Sequence, residues 1–313
     1  MLSIQSLRID YDDTLAVADL NLEIPAGQIF GLVGPNGAGK TSTIKAVAGI
    51  LEPTYGHIKI AGHDLELEPE QARQRIGYMP DFSPVYENLK VWEYCDVFAA
   101  AYLIPRGERL NRVRHWIEQV NLKGKWDSLV RDLSRGMRQR LVLAKTLLSD
   151  PAVLLLDEPA SGLDPIARRE FSEILKRAAG QGRTILISSH ILTELSDFCN
   201  AVGVMEKGRM VVSGTLEDIR RRIGTIGQLN IRCTALDDAE KKRLQETLSS
   251  SPLIQEPREI SPLQFQAAFS GTREDAARLL VQLIAQHISI SDFYVKEADV
   301  EDIFFKIGAK EVT

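Results

Sequence analysis

The feature that most constrains this chain is Gly34-Pro35-Asn36-Gly37-Ala38-Gly39-Lys40-Thr41, which fits GxxxxGK[ST]. It follows an apolar run, Gln28 to Val33, and opens a helical pattern carrying Ile44, Val47 and Ala48, with Gly49 as a C-terminal stop. A strand, a glycine-rich loop and a helix in that order predict a phosphate cradle. The glycines let the backbone wrap closely and aim its N–H groups at phosphate oxygens, and the helix start adds the positive end of its dipole. Lys40 offers a point charge to β- and γ-phosphates, and Thr41 Oγ1 a ligand to Mg²⁺. Residues Gly34 through Ser42 are the candidate nucleotide contacts. The complete pattern in this context sets aside an ordinary glycine turn.

Two runs, Val153 to Leu156 and Thr184 to Ile187, are continuously apolar, as in strands buried on both faces of a parallel sheet. The first runs into Asp157-Glu158-Pro159. A carboxylate just past such a strand sits where open α/β sheets bind ligands. Asp157 is the candidate Mg²⁺ ligand, and Glu158 is left free to polarise an attacking water. Upstream, Leu133-Ser134-Arg135-Gly136-Met137 starts a helix, with Ser134 as its cap and Gly136 allowing close approach. Downstream come Ser161-Gly162-Leu163-Asp164 and, after the second apolar strand, His190.

That ordered set, covering residues 1 to about 220, resembles the ATP-binding cassette (ABC) ATPases. The resemblance implies an α/β fold of P-loop NTPase type, a mixed sheet with an antiparallel β part and a helical subdomain at about 86–149. It implies ATP and Mg²⁺ as ligands, and two cassettes paired head to tail, as a homodimer. Ser134 and Gly136 would then contact the γ-phosphate held by the second copy, Asp164 would lie at the seam, His190 would touch the γ-phosphate beside Glu158, and Tyr11 would stack on adenine. Two departures stand out. The family signature reads LSGGQ, where this chain has Arg135 and Met137; and Asp81, in IGYMPDF, occupies the usual place of a glutamine that reaches toward the metal. Asp81 is accordingly a candidate metal-side group whose charge puts the coupling step in question.

Composition narrows the rest. The 313 residues predict about two domains, a cassette over 1–222 and a smaller C-terminal unit over 226–313 read as strand–helix–strand–helix–strand–helix. The net charge of −5 argues against a basic nucleic-acid face, and residues 226–313 hold 10 basic against 14 acidic side chains. The longest nearly apolar run, Val97 to Ile104, is far short of the about 20 residues of a membrane-spanning helix. No basic-then-apolar start suggests a secretory signal. Cys95, Cys199 and Cys233 are scattered and read as free thiols of a reducing cytosol. The Arg220–Arg222 run reads as a solvated helix face, and His57, His63, His115 and His287 lack metal-ligand spacing. The ending Glu297 to Phe305 is similar to that of ATP-binding subunits of two-component exporters. This implies a separate membrane permease and a peripheral place on the cytoplasmic face. The alternative is an ABC ATPase acting on ribosomes or DNA; a guanine-reading NKxD is absent from the sequence.

Overall fold

A computed structural model describes residues 1–12, 14–191, 194–195, 198–215, 218 and 227–296. The chain divides into two compact units, Met1–Leu216 and Glu217–Thr313.

In the first unit, β1 (Leu2–Tyr11), β2 (Thr14–Ile24), β3 (Ile29–Val33), α1 (Lys40–Val47), β4 (Tyr55–Ile60) and β5 (His63–Asp64) come first. Next are α2 (Pro69–Gln74), β6 (Ile76–Met79), α3 (Val91–Ala101), α4 (Arg106–Gln119) and α5 (Arg135–Leu147). The unit continues with β7 (Val153–Leu156), α6 (Pro165–Gly180), β8 (Thr184–Ser189), β9 (Ala201–Glu206) and β10 (Arg209–Thr215). An antiparallel sheet runs β2-β1-β4-β5, and a mixed sheet runs β10-β9-β3-β8-β7-β6, parallel from β9 to β6. The hairpin β9–β10 turns at Lys207 and Gly208, both at positive φ, the geometry of a tight primed turn. Helix α1 fills the space between the sheets: Ile44, Ala46 and Val47 join Leu2, Ile4, Leu20, Ile58, Leu32 and Leu155 in one core.

Strands β7 and β8 are buried at every position, which explains the apolar runs Val153–Leu156 and Ile185–Ile187. Val91, Tyr94 and Cys95 are buried on α3, and Val113, Trp116 and Ile117 on α4, whereas Tyr102 and Leu110 are exposed. Ala99 takes the next inward place on α3, and Tyr102 falls beyond the last helical turn.

The second unit runs β11 (Gly227–Cys233), α7 (Asp238–Ser250), β12 (Ile254–Ser261), β13 (Gln264–Phe269), α8 (Arg273–Ala285) and β14 (Ile290–Lys296). Its sheet order is β12-β13-β11-β14, antiparallel throughout, the split βαβ arrangement of ferredoxin-like domains. The helices cover one face, where Leu229, Ile231, Phe265 and Phe269 meet Leu244, Leu248, Leu279 and Leu283. Strand β12 is missing from the sequence reading. Its eight residues bury only Ile254, and Pro257 with the charged Glu256, Arg258 and Glu259 suits a sheet edge. The predicted helix at 299–307 and the Arg220–Arg222 run lie outside the described residues.

Candidate active site

The parallel order of β3, β8, β7 and β6 puts the ends of all four strands on one edge. Register carries the ladder to that edge: Val33 pairs Ser189, Leu156 pairs Ile187, and Met79 pairs Leu156. Beyond the last pairs, Gly34 N bonds Ser189 O at 3.4 Å and Asp157 N bonds Met79 O at 2.9 Å. Residues 34–40, 81, 157, 158 and 190 therefore leave neighbouring strand ends although up to 156 positions separate them in the sequence.

Gly34 has no room for a side chain, since a Cβ there would stand 2.3 Å from Met205 O. Gly37 and Gly39 have φ of +81° and +101°, the left-handed region that glycine tolerates without steric cost. Around Gly37 nothing lies within 4 Å of a built Cβ, so that glycine answers to backbone shape alone, on the open side of the loop. Lys40 is buried, with Nζ donating to Gly34 O at 2.7 Å and Pro35 O at 3.1 Å. Nζ also lies 3.7 Å from Glu158 Oε1. Burial pulls the Lys40 pKa down, while the charges of Glu158 and Asp157 work against that shift.

The two acidic residues are held differently. Asp157 is 2% exposed and accepts from Ser188 Oγ at 2.5 Å and from Thr41 Oγ1 at 3.2 Å. Glu158 sits at φ +48°, a region non-glycine residues enter at a cost, and its N–H bonds Ser188 Oγ at 3.0 Å. Its second oxygen, Oε2, lies 2.8 Å from His190 Nδ1 and accepts from the His190 backbone N–H at 3.3 Å. Behind His190, Ser189 Oγ donates to the buried Glu194 at 3.0 Å, which also accepts from Arg168 at 3.1 Å. Ser188 is the functional residue that the sequence reading missed: it holds the Asp157 carboxylate and the Glu158 backbone at once. The signal was present in Ser188-Ser189-His190, a polar pair ending an apolar strand.

Asp81 follows β6 at the same edge. Its carboxyl is pushed up chiefly by burial and then by the charges of Asp157 and Glu158, with Arg135 and His190 opposing. The same negative field, added to burial, raises the Tyr78 hydroxyl to about 12. Among the described residues no three acidic, His or Cys side chains are close enough to hold a metal by themselves. The pair Thr41 Oγ1 and Asp157 Oδ1 supplies two hard oxygen donors side by side, a fit for Mg²⁺, which takes its remaining ligands from phosphate and water.

The other predicted residues fall into two groups. Tyr11, 43% exposed at the end of β1, reaches Ser42 Oγ at 3.4 Å beside the start of α1. Ser134, Gly136 and Asp164 gather at the starts of α5 and α6. Ser134 Oγ caps α5 by accepting from Met137 N at 3.3 Å, and Asp164 caps α6 by accepting from Ala167 N at 2.9 Å. Gly136 packs on Ala167, whose Cβ would lie 2.7 Å from a side chain placed there.

The profile of the family described as "ABC transporter" matches residues 17–161. A Nod factor export ATP-binding protein I of Cupriavidus pinatubonensis is 33% identical over 100% of this chain and 92% of its own. A daunorubicin/doxorubicin resistance ATP-binding protein of Streptomyces peucetius is 30% identical over 95% of this chain and 89% of its own. The chain belongs to the ATP-binding subunits of ABC transporters. A solved structure of an ATP binding subunit of an ABC transporter shares the fold at TM-score 0.63 and 32% identity, covering 71% of this chain and 92% of that one. The cassette is thus an ATPase whose activity is coupled to transport, and subunits of its family dimerise and work with a permease. Ser188 and His190 lie beyond the matched segment and reach the site from the end of β8.

Proposed function

We propose that this cassette binds and hydrolyses ATP with Mg²⁺ as the energy-supplying subunit of an exporter, working as a homodimer beneath a separate permease on the cytoplasmic face. The observation that carries the hydrolytic role is the hold on Glu158: Lys40 Nζ stands 3.7 Å from Oε1 and His190 Nδ1 stands 2.8 Å from Oε2. A carboxylate fixed at both oxygens, partly buried at the strand edge, is aimed to take a proton from water. Lys40 and the Gly34–Thr41 backbone would bind the β- and γ-phosphates, Tyr11 would stack on the base, and Thr41 with Asp157 would hold Mg²⁺. Mg²⁺, when bound, neutralises charge on the transferring phosphoryl oxygens. Ser134 and Asp164, exposed at the starts of α5 and α6, and Gly136 beside Ser134 suit contact with nucleotide held by a second copy.

Export and a permease partner draw support from the relatives, one of which is named for Nod factor export. Among the described residues no helix is long and apolar enough to cross a membrane, which suits a subunit powering a separate span-bearing chain. Glu158→Gln should keep ATP affinity within a few-fold, slow hydrolysis at least about 10²-fold, and accumulate as an ATP-bound dimer on size exclusion. A fully active monomer would refute both the base role and the shared site.

A further inference from the structure

Arg135 is the first helical residue of α5, between Ser134 and Gly136, yet its side chain turns back to its own chain. Nη2 donates to Ser161 O at 2.7 Å. The guanidinium lies flat against Gly162: a Cβ there would stand 2.5 Å from Nη1, 2.6 Å from Cζ and 2.8 Å from Nη2. Gly162 itself has φ +66°, so both the contact and the backbone shape call for glycine. One turn along α5, Gln139 Nε2 donates to Pro159 O at 3.2 Å. Residues four apart share a helix face, so Arg135 and Gln139 grip two carbonyls of the same loop, Ser161 O and Pro159 O. That loop begins at Glu158, whose carbonyl accepts from Ser161 N at 3.2 Å. Gly136 against Ala167 adds a third contact between the two helix starts.

We propose that Arg135 is a positioning residue for hydrolysis, clamping Ser161–Gly162 so that the strained backbone at Glu158 keeps its carboxylate between Lys40 and His190. The clamp also has a direction. Its flanking residues Ser134 and Gly136 are the ones read as meeting the nucleotide of a second copy, so occupancy there is passed through Arg135 to the chain's own Glu158. This step rests on Glu158 being the base. Arginine suits the task because its planar fork stacks on a peptide while donating from its edge; lysine keeps the charge without the plane. Arg135 also places positive charge near Asp81.

The test uses the full chain hydrolysing ATP. Arg135→Ala should lower kcat about 10-fold with KM within about two-fold, the pattern of a lost transition-state alignment rather than lost binding. The Hill coefficient for ATP should fall toward one. Arg135→Lys should recover part of kcat, and Gly162→Ala should lower kcat more in the parent than in the Arg135→Ala background, where the guanidinium clash is gone and only the backbone cost of φ +66° remains. Unchanged kcat and Hill coefficient in Arg135→Ala overturn the proposal. So does a loss of kcat accompanied by equal loss of ATP affinity and thermal stability, because Arg135 would then serve folding. Glu158→Gln measured alongside separates the two failures: its normal hydrolysis would sink the base assignment, whereas a slow Glu158→Gln beside a normal Arg135→Ala would sink only the clamp.

Discussion

The parallel strands of the cassette and the antiparallel sheet of the C-terminal unit handle polar groups in opposite ways. In the cassette, β7 and the Ile185–Ile187 stretch of β8 are apolar, and Lys40, Asp157, Glu158, Ser188 and His190 crowd the edge where the parallel strands end. In the C-terminal sheet, β13 alternates buried and half-buried residues, and its polar groups stand on the sheet face. There Gln228 Nε2 bonds Gln266 Oε1 at 3.2 Å, Gln266 Nε2 bonds Asn230 Oδ1 at 2.8 Å, and Asn230 Nδ2 bonds Gln228 O at 2.9 Å. Neutral amides there satisfy one another. The cassette edge holds carboxylates that repel each other and a lysine whose ammonium burial disfavours. Parallel order concentrates groups that call for a charged ligand, while antiparallel order spreads strand ends over both edges.

The sharpest break of this contrast comes at Lys40. Lys40→Ala removes the cation inside the phosphate loop and should abolish measurable ATP binding in a titration with Mg²⁺ present, while the C-terminal sheet is untouched. Near-normal affinity would undo the assignment of the edge as the nucleotide site. The converse substitution, Phe265→Ala, empties a side chain 2% exposed in the C-terminal core and should cost that unit about 3–5 kcal/mol. ATP affinity should remain within a few-fold. In calorimetry, ATP should raise only the transition that Phe265→Ala leaves in place, since a ligand stabilises what it binds.

The smallest effect concerns Asp81, whose carboxyl titrates above its ordinary value because of burial and then Asp157 and Glu158. A raised carboxyl pKa means that the folded state holds the proton more tightly than the unfolded chain. The associated stability is fully present below 3.8 and is lost as pH rises through the folded value. Asp81→Asn, which does not titrate, should therefore be modestly more stable than the parent at neutral pH. The gain should vanish as pH falls toward 3.8 in thermal melts across pH. A gain that persists in acid would mean that the Asp81 carboxylate charge is not its source.

Local features were legible because a few adjacent residues determine them. The P-loop needs only its eight residues and the strand before it, and Ser134 caps its helix through a bond three residues long. Strand β12 was not legible, because Pro257 and its charges look like a loop until β13 supplies the partner. The inward turn of Arg135 escaped notice too, since its partner carbonyl is 26 residues away.

The sequence by itself determined the chemistry on offer: which residues can meet phosphate, metal and water, and that apolar runs would bury the strands before Asp157 and His190. Only the tertiary structure decided their meeting. It brought Ser188 onto Asp157, set Glu158 between Lys40 and His190, and folded Arg135 over Gly162. The physical reason is that strand order and register are fixed by burial of whole elements against one another, and no run of neighbouring residues carries that information.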